Sequence, residues 1–249
     1  MLRLFQKKKT DLTKFEEYKE YMSYYENKNT EWISFNAQGW SRLIHERLDE
    51  RIAKDFDLHP IKDRCWASDY IDGRRKVITL ELLNNNFATL KWGWNFEDIP
   101  RITKDKCEWA RTDKSIYAHT FRVSEEYING TGNGSHRKSV FGRSNFRKPE
   151  DFNKIIEEID TAYEFVKGDI KIYFEQTYTE AGLLSELEDI CNSRYYNFAH
   201  PENHLIKVYL EYRMDEKDKA MKDLEKVSFS SEKLKKEYLK KAGMSSHVL

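Results

Sequence analysis

Large apolar and polar residues alternate along residues 87–96, in the middle of the chain. A period of two places alternate residues on opposite faces of a β-strand. One face would hold Leu90, Trp92, Trp94 and Phe96, and the other would hold Thr89, Lys91, Gly93 and Asn95. The pattern predicts a strand with one buried face, and we expect neighbouring helices to cover its tryptophans.

Segments on both sides of this strand are also rich in β-branched and aromatic residues, which favour sheets. Residues 65–71 and 75–83 flank Asp72-Gly73, a dipeptide that suits the type I′ turn of a tight hairpin because both central residues of that turn need positive φ. Three asparagines at positions 84–86 predict a second turn, and residues 115–123 a further strand. The sequence therefore predicts four or five mostly antiparallel strands.

Apolar residues recur every three or four positions in several other segments, which is the spacing of one helix face. Before the sheet this spacing predicts helices over residues 11–27 and 37–55, while residues 31–35 are too short to classify. Residues 170–178 fit either a helix or a strand, and Gly168 suits the C′ position of the helix before them. The helices predicted after the sheet cover residues 149–168, 183–195, 205–213, 217–227 and 230–241.

The predicted fold class is therefore α+β, with helices packed on an antiparallel sheet and an all-helical region after it. We expect residues 1–128 to form the helix-and-sheet part and residues 149–249 to form helical hairpins. Residues 129–148, between them, contain four of the ten glycines. Because this segment offers little apolar area to offset the entropy of ordering, we predict an exposed and mobile loop.

Charge and cysteine content narrow the range of partners. The chain has 249 residues with 43 basic and 43 acidic side chains, and this balance gives no general attraction to nucleic acid or to an anionic membrane. Its three cysteines are odd in number and far apart, which favours reduced thiols over a disulfide framework. No run of about 18 apolar residues is present. We therefore predict a soluble cytoplasmic protein with no membrane partner and no nucleic-acid partner.

The glycine-rich segment also contains basic residues, among them Arg137 and Lys138, which makes it a candidate phosphate-binding loop. Glycine lets backbone N–H groups approach phosphate oxygens, and lysine adds positive charge. A Walker loop requires Gly-Lys followed by Ser or Thr, and no lysine of this segment directly follows a glycine. The favoured interpretation is a solvated basic loop, with phosphate binding as the alternative.

Motifs for catalysis and metal binding are incomplete. His200 and His204 have the four-residue spacing of two metal ligands, but Pro201 makes His200 a predicted helix cap outside the shared helix face. Glu81 lies on a predicted hairpin of the kind that carries nuclease carboxylates, yet Leu83 stands where a Glu-x-Lys element needs lysine. No Gly-x-Ser-x-Gly elbow is present. We assign no catalytic residue, metal or cofactor, and the interpretation leans away from an enzyme.

Two short segments carry a resemblance to a known family. Trp-Gly-Trp-Asn-Phe-Glu-Asp-Ile-Pro occupies residues 92–100, and Glu-Trp-Ala-Arg-Thr-Asp-Lys occupies residues 108–114. The region of about residues 37–127 resembles the sheet region of an uncharacterised bacterial domain family, in which an aromatic-Ile/Val-Pro corner precedes a Trp-x-Arg-Thr-x-Lys segment. Similar domains look like accessory or toxin-immunity proteins. The resemblance implies a bacterial protein that acts by binding, and it leaves the C-terminal helices unexplained.

The leading hypothesis is a non-enzymatic protein that binds a protein partner, with toxin neutralisation as its most specific form. The competing hypothesis is an enzyme that binds phosphate or processes nucleic acid through the turn at residues 111–114 and the basic loop. Because the Trp92 face is expected to be scaffold, contacts would lie on the opposite face of the sheet, at its turns or in the loop. The candidate binding residues are Lys91, Arg111, Lys114, Arg137 and Lys138.

Overall fold

The computed structural model has an α+β fold and describes residues 22–27, 30–83, 87–103, 106–108, 113–116, 119–122, 141, 152–192 and 203–244. The strands in these ranges are β1 (Met22–Asn27), β2 (Thr30–Phe35), β3 (His59–Lys62), β4 (Cys65–Ala67), β5 (Arg74–Leu83), β6 (Phe87–Phe96), β7 (Arg101–Thr103), β8 (Lys106–Glu108) and β9 (His119–Arg122). The helices are α1 (Ala37–Phe56), α2 (Phe152–Gln176), α3 (Glu180–Asn192), α4 (Asn203–Arg213), α5 (Lys217–Leu224) and α6 (Glu232–Lys241).

Five of the described strands form one antiparallel sheet in the order β3-β4-β5-β6-β9, with β5 and β6 as its long central pair. The turn that leads into β5 has the predicted conformation, since φ is 50° at Asp72 and 77° at Gly73. Two backbone hydrogen bonds close this turn: the Ile71 N–H donates to the Arg74 carbonyl at 2.8 Å, and the Arg74 N–H donates to the Ile71 carbonyl at 3.1 Å. The predicted antiparallel sheet and its tight turn are confirmed.

Helix α1 packs against the tryptophan face of the sheet. It begins at Asn36, whose side chain accepts a hydrogen bond from the backbone N–H of Gly39 at 2.8 Å, and it ends where Asp57 adopts a left-handed conformation. The predicted apolar stripe is its buried face, which contains Leu43, Ile44, Leu48 and Ile52. The helix predicted over residues 37–55 is therefore confirmed.

Helix α2 covers the same face of the sheet beside α1. Phe174 of α2 packs edge-on against Trp94 of β6, with ring centroids 5.6 Å apart, and the Trp94 indole N–H donates to the hydroxyl of Thr177 at 2.8 Å. Trp92 and Trp94 are 1% and 4% exposed. The tryptophan face is thus the core of the sheet, as its alternation predicted.

The four C-terminal helices continue the same hydrophobic core, which includes Leu205, Leu224 and Tyr238 together with the sheet and α1. A buried ionic cluster adds to this region, in which Lys207 of α4 contacts the carboxylates of Glu211 and of Asp223 in α5. Burial alone would lower the pKa of Lys207, but hydrogen bonds to both carboxylates raise it above its ordinary value. The C-terminal region is helical, as predicted.

The helix predicted over residues 11–27 is wrong at its C-terminal end, because residues 22–27 form β1. This strand pairs antiparallel with β2, and Met22 lies opposite Phe35. The three- and four-residue spacing of aromatic residues suggested a helix. However, the partner segment, Thr-Glu-Trp-Ile-Ser-Phe, is rich in β-branched and aromatic residues, and pairing with it decides the conformation.

Gly168 does not end a helix, which corrects a second prediction. α2 continues through it to Gln176, so the ambiguous residues 170–176 are helical. Ile170, Tyr173 and Phe174 are buried and extend the stripe of the first half of α2. Packing of this second half on the sheet offsets the roughly 1 kcal/mol that a mid-helix glycine costs.

Several predictions fall on residues outside the described ranges, including the start of the first predicted helix and nearly all of the predicted loop at residues 129–148. Phe141 is the one described residue of that loop, and it departs from the expectation of an exposed segment. Its side chain is 1% exposed, and its backbone pairs with Ala88 of β6 through two hydrogen bonds of 2.9 and 3.3 Å. The chain therefore returns to the sheet at this point.

Candidate functional site

The face of the sheet opposite the tryptophans is polar but buried around Arg75 of β5. Arg75 and Asn95 are 4% and 1% exposed. Arg75 donates from Nε to Asn95 Oδ1 at 2.9 Å, and from Nη2 to the carbonyls of Asp113 and Ser115 at 2.9 and 3.1 Å. Its guanidinium also lies 4.4 Å over the ring of Tyr70, whose hydroxyl donates to Asn95 Oδ1 at 2.7 Å. These contacts hold residues 113–116 against the sheet.

Two of the five candidate binding residues lie in the described part of the chain. Lys114 is exposed on the turn that Arg75 holds. Lys91 lies on the polar face of β6 with its side chain 16% exposed and its ammonium group in contact with the Glu81 carboxylate. Because its side chain is largely withdrawn from solvent, burial lowers the pKa of Lys91 to about 8. The other candidates, Arg111, Arg137 and Lys138, lie outside the described residues.

A different surface forms where the turn between β4 and β5 meets the turn between α2 and α3. Among the described residues, four large hydrophobic side chains are more than half exposed, and two of them lie here: Ile71 at 67% and Tyr178 at 63%. We call this region the turn surface. It comprises Ile71, Asp72, Arg74, Asp98, Tyr178, Glu180 and Arg213.

Arg74 connects the two turns. Its backbone bonds to that of Ile71, and its Nη2 donates to the carbonyl oxygen of Tyr178. The guanidinium lies 4.4 Å over the ring of Trp94, at the edge of the core. Burial, together with the nearby guanidinium of Arg213, holds the pKa of Arg74 below its ordinary value. Arg74 therefore connects the backbones that carry both exposed side chains to the edge of the core.

Arg213 of α4 ties the helical region to the same place. Its Nε lies 2.8 Å from a carboxylate oxygen of Glu180 in α3, and its Nη1 donates to the hydroxyl of Tyr209 at 3.1 Å. Asp98 lies 3.9 Å from Arg213 Nη1 and directly beside the hairpin turn, since a methyl group at Gly73 would come within 2.5 Å of Asp98 Oδ2. The turn surface is thus built by two turns of the chain and two helices that contact one another.

The backbone at both turns accounts for the exposure of the two apolar side chains. Strand β4 ends at Ala67, and Ile71 directly precedes the turn, in which Asp72 and Gly73 have positive φ. At the other turn Thr177 is 2% exposed and accepts the bond from Trp94, so the neighbouring Tyr178 is left on the outside. Local structure therefore fixes two apolar side chains in water.

The other exposed pair, Phe165 and Ile172, differs in its setting. These residues lie seven positions apart on the outer face of α2 and are 60% and 53% exposed. Their neighbours are exposed charges of both signs, such as Lys171 and Glu175, which lie 3.9 Å apart. Both members of this pair lie on one helix, whereas Ile71 and Tyr178 come from two separate turns.

Two features of the described residues bear on metal binding and on thiol chemistry. They contain no group of three or more histidine, cysteine or acidic residues that could hold a metal ion. Cys65 and Cys107 are free and buried, and burial raises their thiol pKa values to about 12 and about 11, which makes both poor nucleophiles. None of the described helices is long and apolar enough to cross a membrane.

Sequence reasoning did not identify the turn surface. Ile71 was assigned to a strand, and Tyr178 to a segment that fitted either a helix or a strand. The hairpin dipeptide after Ile71 was a usable signal, because an apolar residue next to a type I′ turn at the end of a sheet has little to pack against. The sequence contains no signal that Arg74 connects Ile71 to Tyr178, which lies 107 positions further along the chain.

Comparisons of the chain with protein-family models, with curated proteins and with solved structures found no match. The resemblance of residues 37–127 to a bacterial domain family therefore stays a prediction.

Proposed function

We propose that this chain is a protein-binding protein and that the turn surface is its docking site. One observation supports the proposal most directly: Ile71 and Tyr178 are both exposed, and Arg74 is hydrogen-bonded to the backbone of both. Exposed apolar residues are ordinary when they are scattered, but a group rimmed by polar residues is typical of interaction sites. Tyrosine and arginine are also common among the residues that dominate binding energy.

The rigidity of the turn surface favours binding. Association is opposed by the entropy of ordering side chains and loops, at about 0.5–1.5 kcal/mol for each side chain that becomes fixed. Here the turn geometry and the contacts of Arg74 already fix the backbones on both sides of the surface. A partner would therefore gain from burying Ile71 and Tyr178 without first ordering the turns that carry them.

Toxin neutralisation is the more specific form of this proposal and is supported only by the resemblance of residues 37–127. A toxin gene immediately upstream of the coding sequence would add support, and rescue of cells from that toxin by co-expression would test it. The competing enzyme hypothesis uses the turn at residues 111–114 and the basic loop, of which Asp113, Lys114 and Phe141 lie in the described part of the chain.

The test of the docking site compares two double variants of the full chain. Ile71→Ser with Tyr178→Ser removes the apolar pair of the turn surface, and Phe165→Ser with Ile172→Ser removes a pair of similar exposure from α2. Proteins captured from a lysate of the source cells by the wild type should be retained by the α2 variant and lost by the turn variant. Each exposed anchor is expected to contribute about 2 kcal/mol, so the Kd of a purified captured protein should rise more than tenfold.

Both variants should melt close to the wild type, because substitutions of exposed residues usually change the free energy of unfolding by less than about 0.5 kcal/mol. Equal loss of capture in the two variants would indicate non-specific adhesion. Undiminished capture by the folded turn variant would show that the turn surface does not bind the partner.

A further inference from the structure

We infer that the partner of the turn surface is a basic protein, whose docking face presents lysine and arginine around an apolar contact. This inference rests on the proposed function. It identifies the chemistry of the partner from the charges around Ile71 and Tyr178. Those charges are predominantly acidic, and the two cations of the surface are occupied by contacts within the molecule.

Several carboxylates lie on or beside the two turns that carry the exposed apolar residues. Three of them belong to the turn surface itself: Asp72 on the hairpin, Glu180 in α3, and Asp98 after β6, whose side chain is 55% exposed. Asp69 and Glu97 are exposed beside them, and the backbone N–H of Glu97 bonds to the carbonyl of Gly73 at 2.8 Å. Together these make five carboxylates, compared with two guanidinium groups, those of Arg74 and Arg213. The five are Asp69, Asp72, Glu97, Asp98 and Glu180.

Both guanidinium groups are engaged in contacts within the molecule, although the Arg213 side chain stays 31% exposed. The Arg74 guanidinium stacks on Trp94 with one face and donates a hydrogen bond from Nη2 to the Tyr178 carbonyl. Arg213 is held by Glu180 at 2.8 Å and lies near Asp98. The charge that an approaching protein meets first is therefore that of the exposed carboxylates.

Folding does not require three of these carboxylates. Within the described residues Asp69, Asp72 and Glu97 form no ion pair, and their carboxylates accept no hydrogen bond. Asn would serve the type I′ turn at position 72 as well as Asp, since both tolerate left-handed backbone. Like charges placed together on one turn repel each other and lower stability slightly. Attraction of a cationic partner accounts for their presence, because complementary charge around an interface speeds encounter and excludes wrong partners.

The acidic character of this surface is local, because the whole chain is neutral. Helix α6 has the opposite character, with five lysines and two glutamates in ten residues. A second copy of the chain could in principle offer α6 to the turn surface. A separate basic protein is favoured because α6 has a cap at Ser231 and buries its apolar residues, including Leu234 and Tyr238, leaving no apolar contact for Ile71 and Tyr178.

The experiment neutralises the three unpaired carboxylates without changing their shape. The variant carries Asp69→Asn, Asp72→Asn and Glu97→Gln. A matched control carries Glu157→Gln, Asp189→Asn and Glu225→Gln, which changes the net charge equally at exposed positions elsewhere. The probe is the set of proteins that the wild type retains from the lysate and that Ile71→Ser with Tyr178→Ser does not.

We expect the neutral turn variant to bind this set about tenfold more weakly at low salt, mainly through a slower association rate, with the difference shrinking as salt rises. The control should bind like the wild type, and the bound proteins should have basic docking faces. If binding were unchanged in the neutral turn variant, or weakened equally in the control, the partner would not be recognised by its basic charge. The proposal that the turn surface is the docking site would not be affected by that result.

An absence of any protein that depends on Ile71 and Tyr178 would instead reject the docking site itself. Self-association is checked by sedimentation at several concentrations. Dimers or longer assemblies that form in the wild type and disappear in the neutral turn variant would show that the occupant is a second copy, which would overturn the assignment to a separate basic protein.

Discussion

The two faces of the central sheet are both buried, but they are buried by different chemistry. On the tryptophan face, Ile78 and Trp92 are at most 1% exposed and pack against the helices. On the opposite face Arg75, Thr89 and Asn95 are no more than 4% exposed, although all three are polar. Alternation along a strand therefore predicts which residues share a face, but it does not predict that the polar face is in contact with water.

Around Arg75 the polar face can be buried because the guanidinium and the Asn95 amide oxygen are hydrogen-bonded locally. A buried guanidinium without acceptors would be strongly unfavourable. Arg75 donates to Asn95 and to two backbone carbonyls, and one face of its group is covered by Tyr70. The two faces should consequently respond to different substitutions: the tryptophan face to loss of volume, and the polar face to loss of particular donors and acceptors.

The largest effect is expected from Trp92→Ala on the tryptophan face. Removing this fully buried indole leaves a cavity in the core, which should lower the free energy of unfolding by about 3–5 kcal/mol. Urea unfolding followed by circular dichroism measures the change. Phe165→Ala is the matched control, since this aromatic residue is 60% exposed and its loss should cost less than about 0.5 kcal/mol. If the Trp92 variant were as stable as the control, the tryptophan face would not be the core.

Arg75→Met tests the polar face and should have a smaller effect. Methionine keeps much of the side-chain volume but removes the charged donors, so the expected loss is about 2–3 kcal/mol. Because the carbonyls of Asp113 and Ser115 lose their donor, amide hydrogen exchange at residues 113–116 should accelerate more than in the rest of the sheet. Arg42→Met is the control, an exposed arginine that pairs with Glu46 on α1. Unchanged exchange at residues 113–116 would show that Arg75 does not hold this segment.

The sequence was most informative where a local rule coincides with the packing that the fold requires. The alternation around Trp92 and Trp94 and the Asp72-Gly73 turn predicted the central hairpin, because side-chain period and φ preference act within a few residues. The stripe of α1 was predictable for the same reason. Each of these features keeps its conformation in the structure because packing adds to the local preference and does not oppose it.

Predictions failed where contacts between distant residues decide the conformation. Residues 22–27 have helical spacing but pair with β2, and α2 passes through Gly168 because its second half packs on Trp94. The turn surface was missed for a related reason. Ile71 and Tyr178 are ordinary residues in their own segments, and only the contact of Arg74 with both turns makes them one surface.

The smallest expected effect concerns Lys91, because burial on the polar face makes its charged form less favourable than it is in water. Burial lowers its pKa from an ordinary value of 10.5 to about 8. Between these two pH values the unfolded chain binds a proton at this lysine and the folded chain does not. The free energy of unfolding therefore rises as pH increases from about 8 to about 10.5, and this contribution is lost as pH falls through 8.

Comparison with Lys91→Met isolates this contribution from other titrating groups. A pKa shift of this size corresponds to roughly 3 kcal/mol in the free energy of unfolding. Because the variant also loses the contact with Glu81, we expect a smaller difference. Between pH 8 and 10.5, the free energy of unfolding of the wild type should rise by about 1 kcal/mol relative to that of the variant. Urea unfolding at several pH values between 7.5 and 10.5 measures the difference. A difference that stays constant with pH would mean that Lys91 keeps its proton in the folded protein, and that the polar face is wetter around Lys91 than around Arg75.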